Sequence, residues 1–240
     1  MQLFTHIYQL KLIPPTGFRY IKDTLSCRFC KHFCLHGSTI NWITYNISSN
    51  KNNSVVIENS KVSHCSFNVN GSNNKIVIKN NADVAFHGIT IEGDNNEVVY
   101  DGCLAVISVR IRGNGCKVSV GKGSLIDESS SIVCMGQNNY VDIGDGCMFA
   151  ENVEIWASDT HLITDLNGSP INPSKPVVIE NHVWLGKGVK VMKEVTIGHN
   201  SVVGMGSIVT KDIPQHSIAA GNPAKVVKNG VDWKFGFIDI

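Results

Sequence analysis

From Ile179 to Val209 an aliphatic residue returns at every sixth position: Ile179, Leu185, Val191, Ile197, Val203 and Val209. A helix repeats at 3.6 residues and a strand at 2, so a strict six describes a chain that turns one corner of a prism every six residues and aims one side chain inward each time. A second small or β-branched residue follows four places after each aliphatic (Val183, Val189, Val195, Ser201, Ser207, Ile213), and glycines directly follow three of them (Gly186, Gly198, Gly204). The pattern predicts an all-β chain wound as a parallel β-helix.

Upstream, the turns carry the repeat. Asn50-Lys51-Asn52-Asn53, Gly71-Ser72-Asn73-Asn74, Gly93-Asp94-Asn95-Asn96, Gly113-Asn114-Gly115 and Gly136-Gln137-Asn138-Asn139 each precede a short β-branched stretch. Their spacing slightly exceeds the eighteen residues of a bare three-sided coil, which predicts a small insertion at one corner of each early coil. Asn and Gly are the residues that accept the left-handed backbone of a tight corner. About seven coils follow, starting near positions 52, 73, 95, 117, 140, 178 and 196.

The period fails between Ile155 and Val177. Gly168, Pro170, Pro173 and Pro176 mark 156–176 as a loop leaving the prism, and such loops on rigid scaffolds often carry function. The expected organisation is a cap segment over 1–45, a β-helix over 46–218 interrupted by this excursion, and a C-terminal tail over 219–240. Phe18, Ile21, Leu25, Phe29 and Phe33 fall near helical spacing, so a short amphipathic helix is expected to cover the open end, where unpaired strand edges would otherwise invite association. Cys27, Cys30 and Cys34, with His32 and His36, lie in the same stretch. C-x-x-C is half of a zinc site, but no second half follows, and we assign the cysteines to the helix with no metal expected.

Composition narrows the class. A net charge of +1 with 42% hydrophobic residues and no basic run excludes a nucleic-acid surface and describes a globular chain. No apolar run is long enough for a transmembrane segment and the start has no leader-like core, so a cytoplasmic protein is expected. Cys65, Cys103, Cys116, Cys134 and Cys147 are scattered through the repeats, where reduced thiols serve as small buried hydrophobes.

Two stretches carry candidate chemistry. The excursion opens with Ser158-Asp159-Thr160-His161, and Asn181-His182-Val183-Trp184-Leu185-Gly186 follows it. The C-terminal end holds Val209-Thr210-Lys211-Asp212-Ile213-Pro214 and then Ala219-Ala220-Gly221-Asn222-Pro223-Ala224-Lys225. With these motifs the chain resembles the left-handed β-helix, hexapeptide-repeat acyltransferases, and within them the branch that O-acetylates sugars and polysaccharides, including capsule sialic-acid and maltose or galactoside enzymes.

The resemblance implies acetyl-CoA as cosubstrate, a carbohydrate acceptor and a homotrimer. It makes His161 the general base and places Trp184 in the acceptor or thioester pocket. Asp159, two residues before His161, shares its face in extended backbone and is a candidate to orient the ring, to contact the acceptor or to cap the turn. An imidazole, with an unperturbed pKa of about 6.5, can take a hydroxyl proton as the oxygen attacks a thioester carbonyl. Backbone amides at the Leu185-Gly186 corner are candidates to hold the resulting oxyanion.

For the donor, the resemblance implies Gly186, Lys187, Gly204, Met205, Thr210, Lys211, Asn222 and Pro223 along the acetyl-CoA, with Lys225 and Lys228 near its phosphates. Sugar N-acetyltransferases, serine acetyltransferase-like enzymes and carriers of other acyl groups share parts of this pattern. A carbonic anhydrase-like solenoid with interfacial zinc would need three histidines facing one interface. His161, His182 and His199 do not show that spacing.

Overall fold

The computed structural model describes residues 19–23, 31–48, 51–85 and 88–236, and every regular element among them is a strand. The strands stack in parallel on three faces. Face I carries Phe33–His36, Ser54–Glu58, Lys75–Lys79, Glu97–Asp101, Lys117–Val120, Tyr140–Ile143, Val177–Ile179 and Val195–Ile197 in unbroken order. Face II runs through Lys61–Ser63 and Asp83–Ala85 to Met148–Phe149, Trp184–Leu185, Val202–Val203 and Ser217–Gly221. Face III includes Ser66–Asn70, Gly88–Glu92, Glu154–Trp156, Lys190–Met192 and Ile208–Val209. Three long strands, Thr39–Ile47, Leu104–Asn114 and Leu125–Gln137, bend from face II onto face III without a break.

Face I therefore contains eight coils, one more than the turn signals predict. The first begins at Phe33, ahead of the first Asn-rich turn, and so carries no repeat signal of its own. The predicted N-terminal helix is corrected where it is described: Arg19–Asp23 is a strand, antiparallel to residues 41–45 of Thr39–Ile47. An open solenoid end exposes strand edges, and a paired strand satisfies their hydrogen bonds whereas a helix cannot. Ile21 is buried there, and Phe33 packs edge-on against Tyr45 and Phe67. Cys34 is exposed with its Sγ 3.1 Å from His36 Nε2, while Cys27 and Cys30 lie outside the described residues.

The register explains the six-residue period. Ile179, Leu185, Val191, Ile197, Val203 and Val209 all point into the prism and are essentially inaccessible. On face I, Ile57, Ile78, Tyr100, Val120, Ile143, Ile179, Ile197 and Ile213 form one buried column, each residue over its equivalent in the coil below. Each fully buried Ile or Val contributes roughly 1.5–3 kcal/mol. The five scattered cysteines fill the same interior as free thiols.

The corner insertions lie between faces III and I. There Asn53, Asn74 and Asn96 stack as a buried ladder in which each side-chain oxygen accepts the next coil's backbone N–H at 2.9 Å, ending at Cys116. Beside it Gly71 and Gly93 adopt φ of 139° and 124°, and a Cβ on either would fall within about 2 Å of the next coil's carbonyl oxygen. Asn139 resumes the ladder but its Oδ1 is buried without a partner. The register puts Lys175 above it, and the Lys175 N–H is turned toward Ala157 O because the excursion rejoins the prism there.

Candidate active site

The excursion leaves face III after Glu154–Trp156 and returns to face I at Val177, closing as a small antiparallel hairpin through Thr164 and Pro170. Asp165 sets its tip: its carboxylate accepts the N–H groups of Asn167 and Ser169. At the root, the Ser158 hydroxyl accepts the Thr160 N–H and the Ser174 hydroxyl, so both limbs start from one point. Thr160 takes a left-handed φ of 63°, and the His161 N–H donates to Asp159 O at 2.7 Å, forming the turn that presents the exposed His161 side chain.

The carboxylate of Asp159 makes no bond to the His161 ring. It accepts Lys193 Nζ at 2.6 Å and Asn172 Nδ2 at 2.8 Å. The Lys193 ammonium, with Asn172 beside it, holds the Asp159 carboxyl below the usual carboxylate range against the opposing effect of partial burial. Asn172 also donates to His161 O at 2.8 Å and accepts the Ile163 N–H at 2.7 Å. One amide side chain thus ties the outgoing limb to the returning one on both sides of His161. Neither Asn172 nor Lys193 stands out in the sequence. Strand register brings Lys193 there, since it follows directly on Met192, which is paired with Trp156.

The predicted donor residues fall into three places. Gly186-Lys187 and Gly204-Met205 stack at the corner between faces II and III, with the Gly206 N–H donating to Lys187 O, and the turn at Asn222-Pro223 lies above them, the Gly221 N–H reaching Ser207 Oγ. Met205 is 72% exposed. Thr210 and Lys211 sit at the far edge of face III, toward the excursion, while Lys225 and Lys228 line the outer strand Ala224–Asn229, antiparallel to Ser217–Gly221. Lys211, Lys225 and Lys228 are exposed and form no ion pair among the described residues, whereas Lys187 pairs with Glu151, which raises its pKa. The Gly186 N–H is committed to Val203 O at 2.9 Å, which removes it as an oxyanion donor.

Trp184 points outward from face II and is 37% exposed. Within one chain it is not brought to His161: the two occupy different edges of the prism and share no hydrogen bond or ring contact among the described residues. Its neighbour is Trp233 of the tail, 6.0 Å away, which also stacks on His182 at 4.2 Å. His182 and His199 are engaged with Asn200 and Glu180, and no group of three or more His, Cys, Asp or Glu among the described residues is placed to hold a metal ion.

Comparison with known proteins matches this architecture. The bacterial transferase hexapeptide (six repeats) family model covers residues 176–211. The solved structure of the polysialic acid-specific acetyltransferase NeuO aligns over 85% of this chain and 90% of its own, with 31% identity and a TM-score of 0.65. The chain belongs to the hexapeptide-repeat transferase family. Like its neighbours there, this hexapeptide-repeat chain is a left-handed parallel β-helix. Among curated members, the polysialic acid O-acetyltransferase of Escherichia coli O1:K1 / APEC is 38% identical over 50% of the chain, and the galactoside O-acetyltransferase of Escherichia coli K12 is 37% identical over 48%. The matches span 38% and 55% of those two relatives' own lengths. No helix among the described residues is long and apolar enough to cross a membrane.

Proposed function

We propose that this protein is an acetyl-CoA-dependent O-acetyltransferase that modifies a carbohydrate hydroxyl, with His161 as general base and direct transfer in a ternary complex. The observation that carries the reading is the likeness to the polysialic acid-specific acetyltransferase along nearly the whole prism, early coils included. It favours a surface or capsular polysaccharide, or its sugar precursor, as acceptor. His161 takes the acceptor proton, the hydroxyl oxygen attacks the thioester carbonyl, and the tetrahedral intermediate expels the CoA thiolate, which receives the proton back from the imidazolium. Asn172 and Lys193 hold the turn, and with it the base, in place.

The active unit in this reading is a homotrimer. Leu104, Leu125, Met148, Trp184, Val202 and Ile218 form an outward apolar ladder along face II, register by register. The excursion adds the exposed Leu162, Ile163, Leu166 and Ile171. Apolar surface of this extent calls for a covering partner. A neighbouring prism would cover it and bring His161 of one chain to Trp184 of the next, with acetyl-CoA between them along the Met205, Lys211 and Lys225 surface.

The test is CoA thiol release from acetyl-CoA with sialic-acid polymers, neutral sugars, amino sugars and serine as acceptors. Acceptor-dependent release by the wild type that vanishes in His161→Ala is the expected result. Release only with amino sugars or serine would move the assignment to N-acetyl or serine transfer.

A further inference from the structure

Trp184 stands on the outside of the prism, where the packing that fixes inward side chains is absent and the ring has room to swing. In register, Met148 lies below it, and Val202, Ile218 and Lys228 rise above it in one outward column. These neighbours bound the ring along the prism axis. Sideways, toward face I, it is bounded by the tail. Among the described residues the one ring contact that Trp184 makes is with Trp233, at 6.0 Å and tilted by 47°.

Trp233 is itself firmly held. It is buried although it belongs to no coil. Its ring lies flat on His182, with centroids 4.2 Å apart and planes 7° from parallel, and its indole N–H donates to His182 O at 2.7 Å. Its backbone N–H donates to Asp232 Oδ1, which lies 3.5 Å from His182 Nδ1. Higher up, the Val231 N–H donates to His216 O at 3.0 Å, and His216 Nδ1 is 3.1 Å from Val231 O. The tail therefore descends the corner between faces I and II, from His216 to His182 two coils lower, and sets an anchored indole beside Trp184. A tail that only sealed the last coil needs to go no farther than Ala224–Asn229, which already pairs with the edge strand Ser217–Gly221.

We propose that Trp233 is a positioning residue for the donor: from its anchorage on His182 it holds the Trp184 indole at the angle at which that ring meets the thioester end of acetyl-CoA. The column above Trp184 ends at Lys228, a lysine expected near the CoA phosphates, at a rise of roughly 14 Å for three stacked strands. The phosphate end above leaves the thioester end for Trp184. A ligand that must immobilise a mobile side chain loses affinity to its entropy, and a ring already held in the free protein removes that loss. The aromatic pair supplies the restraint. The inference rests on the proposed acetyl transfer for the task it gives Trp184.

A double-mutant cycle of Trp184→Ala, Trp233→Ala and the pair tests it, read by calorimetric titration with acetyl-CoA and by CoA thiol release with oligosialic acid as acceptor. The expected result is acetyl-CoA binding weakened about three- to tenfold in Trp233→Ala, an unchanged KM for the acceptor, and no further effect of Trp233→Ala once Trp184 is replaced. Trp233→Phe, which keeps the stack on His182, should recover most of the loss, and Trp233→Leu carries the cycle if the alanine variant does not fold. Unchanged acetyl-CoA binding in the Trp233 variants, or the same loss with and without Trp184, overturns the positioning role and leaves the tail as a structural strap. A wild type that binds no acetyl-CoA overturns it together with the transferase reading. Coupled binding losses in a protein that releases no CoA thiol keep the positioning role and remove that reading; thiol release without coupling does the reverse.

Discussion

Asn172 is the residue on which the placement of His161 most depends. Replacing it with Ala removes three hydrogen bonds at once: those donated to Asp159 Oδ2 and His161 O, and that accepted from the Ile163 N–H. Net contributions of about 0.5–1.5 kcal/mol per bond put the loss near 2–3 kcal/mol, since the partners are exposed and regain water. All of it falls on the loop, because no core side chain is touched. A tenfold change in population corresponds to about 1.4 kcal/mol, so the ordered turn becomes less populated by roughly 30- to 150-fold at most, and kcat/KM falls by up to that factor. Asn172→Asp should be no better, because it loses both donated bonds and sets a second carboxylate against Asp159. The assay is CoA thiol release at saturating acetyl-CoA across an acceptor series, with thermal melting alongside. Near wild-type kcat/KM in Asn172→Ala, in a preparation where His161→Ala is inactive, would refute the argument that this amide positions the base.

Other consequences follow from the same contacts. Asp159 has a depressed folded pKa, so its anchoring of the loop is complete above the ordinary aspartate value of about 3.9 and is lost as pH falls through the lower folded value; limited proteolysis within 160–172 should accelerate only under that acid condition, and Lys193→Met should move the onset to higher pH. Asn74→Ala strands the buried Asn96 N–H, removes the side-chain donor to the part-buried Gly93 carbonyl and leaves Asn96 Nδ2 with Gly113 O alone, and is expected to cost roughly 2–4 kcal/mol in urea unfolding, while Ala at the exposed Asn73 costs well under half of that. Gly93→Ala, whose Cβ would lie 2.0 Å from Gly113 O, should abolish soluble expression. Of the eight cysteines, the five buried in the prism should resist thiol reagents until the chain is denatured; burial pushes Cys103 up to about 12 and Cys147 to about 11.

Much of this architecture was legible because a solenoid repeats one local rule. Each inward position from Ile179 to Val209 sees the same surroundings, so a period of six in sequence becomes a column in space, and the Asn-Gly corners mark themselves by the backbone they require. The excursion was legible for the opposite reason, since prolines and a lost period cannot continue a coil. What periodicity could not supply was the end of the solenoid. Apolar residues near 18–33 satisfy a helical spacing, and the choice of a strand at Arg19–Asp23 was made by the unpaired edge of Thr39–Ile47, which is not visible locally.

The site divides in the same way. The sequence by itself determined the residue types, the loop that carries His161 and the order of the motifs expected to meet the donor. Tertiary structure decided their neighbours: Lys193 reaches Asp159 from one coil higher, Asn172 closes on His161 from the returning limb, and Trp233 meets His182 across 51 residues. Such contacts join positions that share no period, and they exist only after stacking has set the coils in register. The outward side chains of a prism are free of the packing rule that fixes the inward ones, so their partners come from the fold alone.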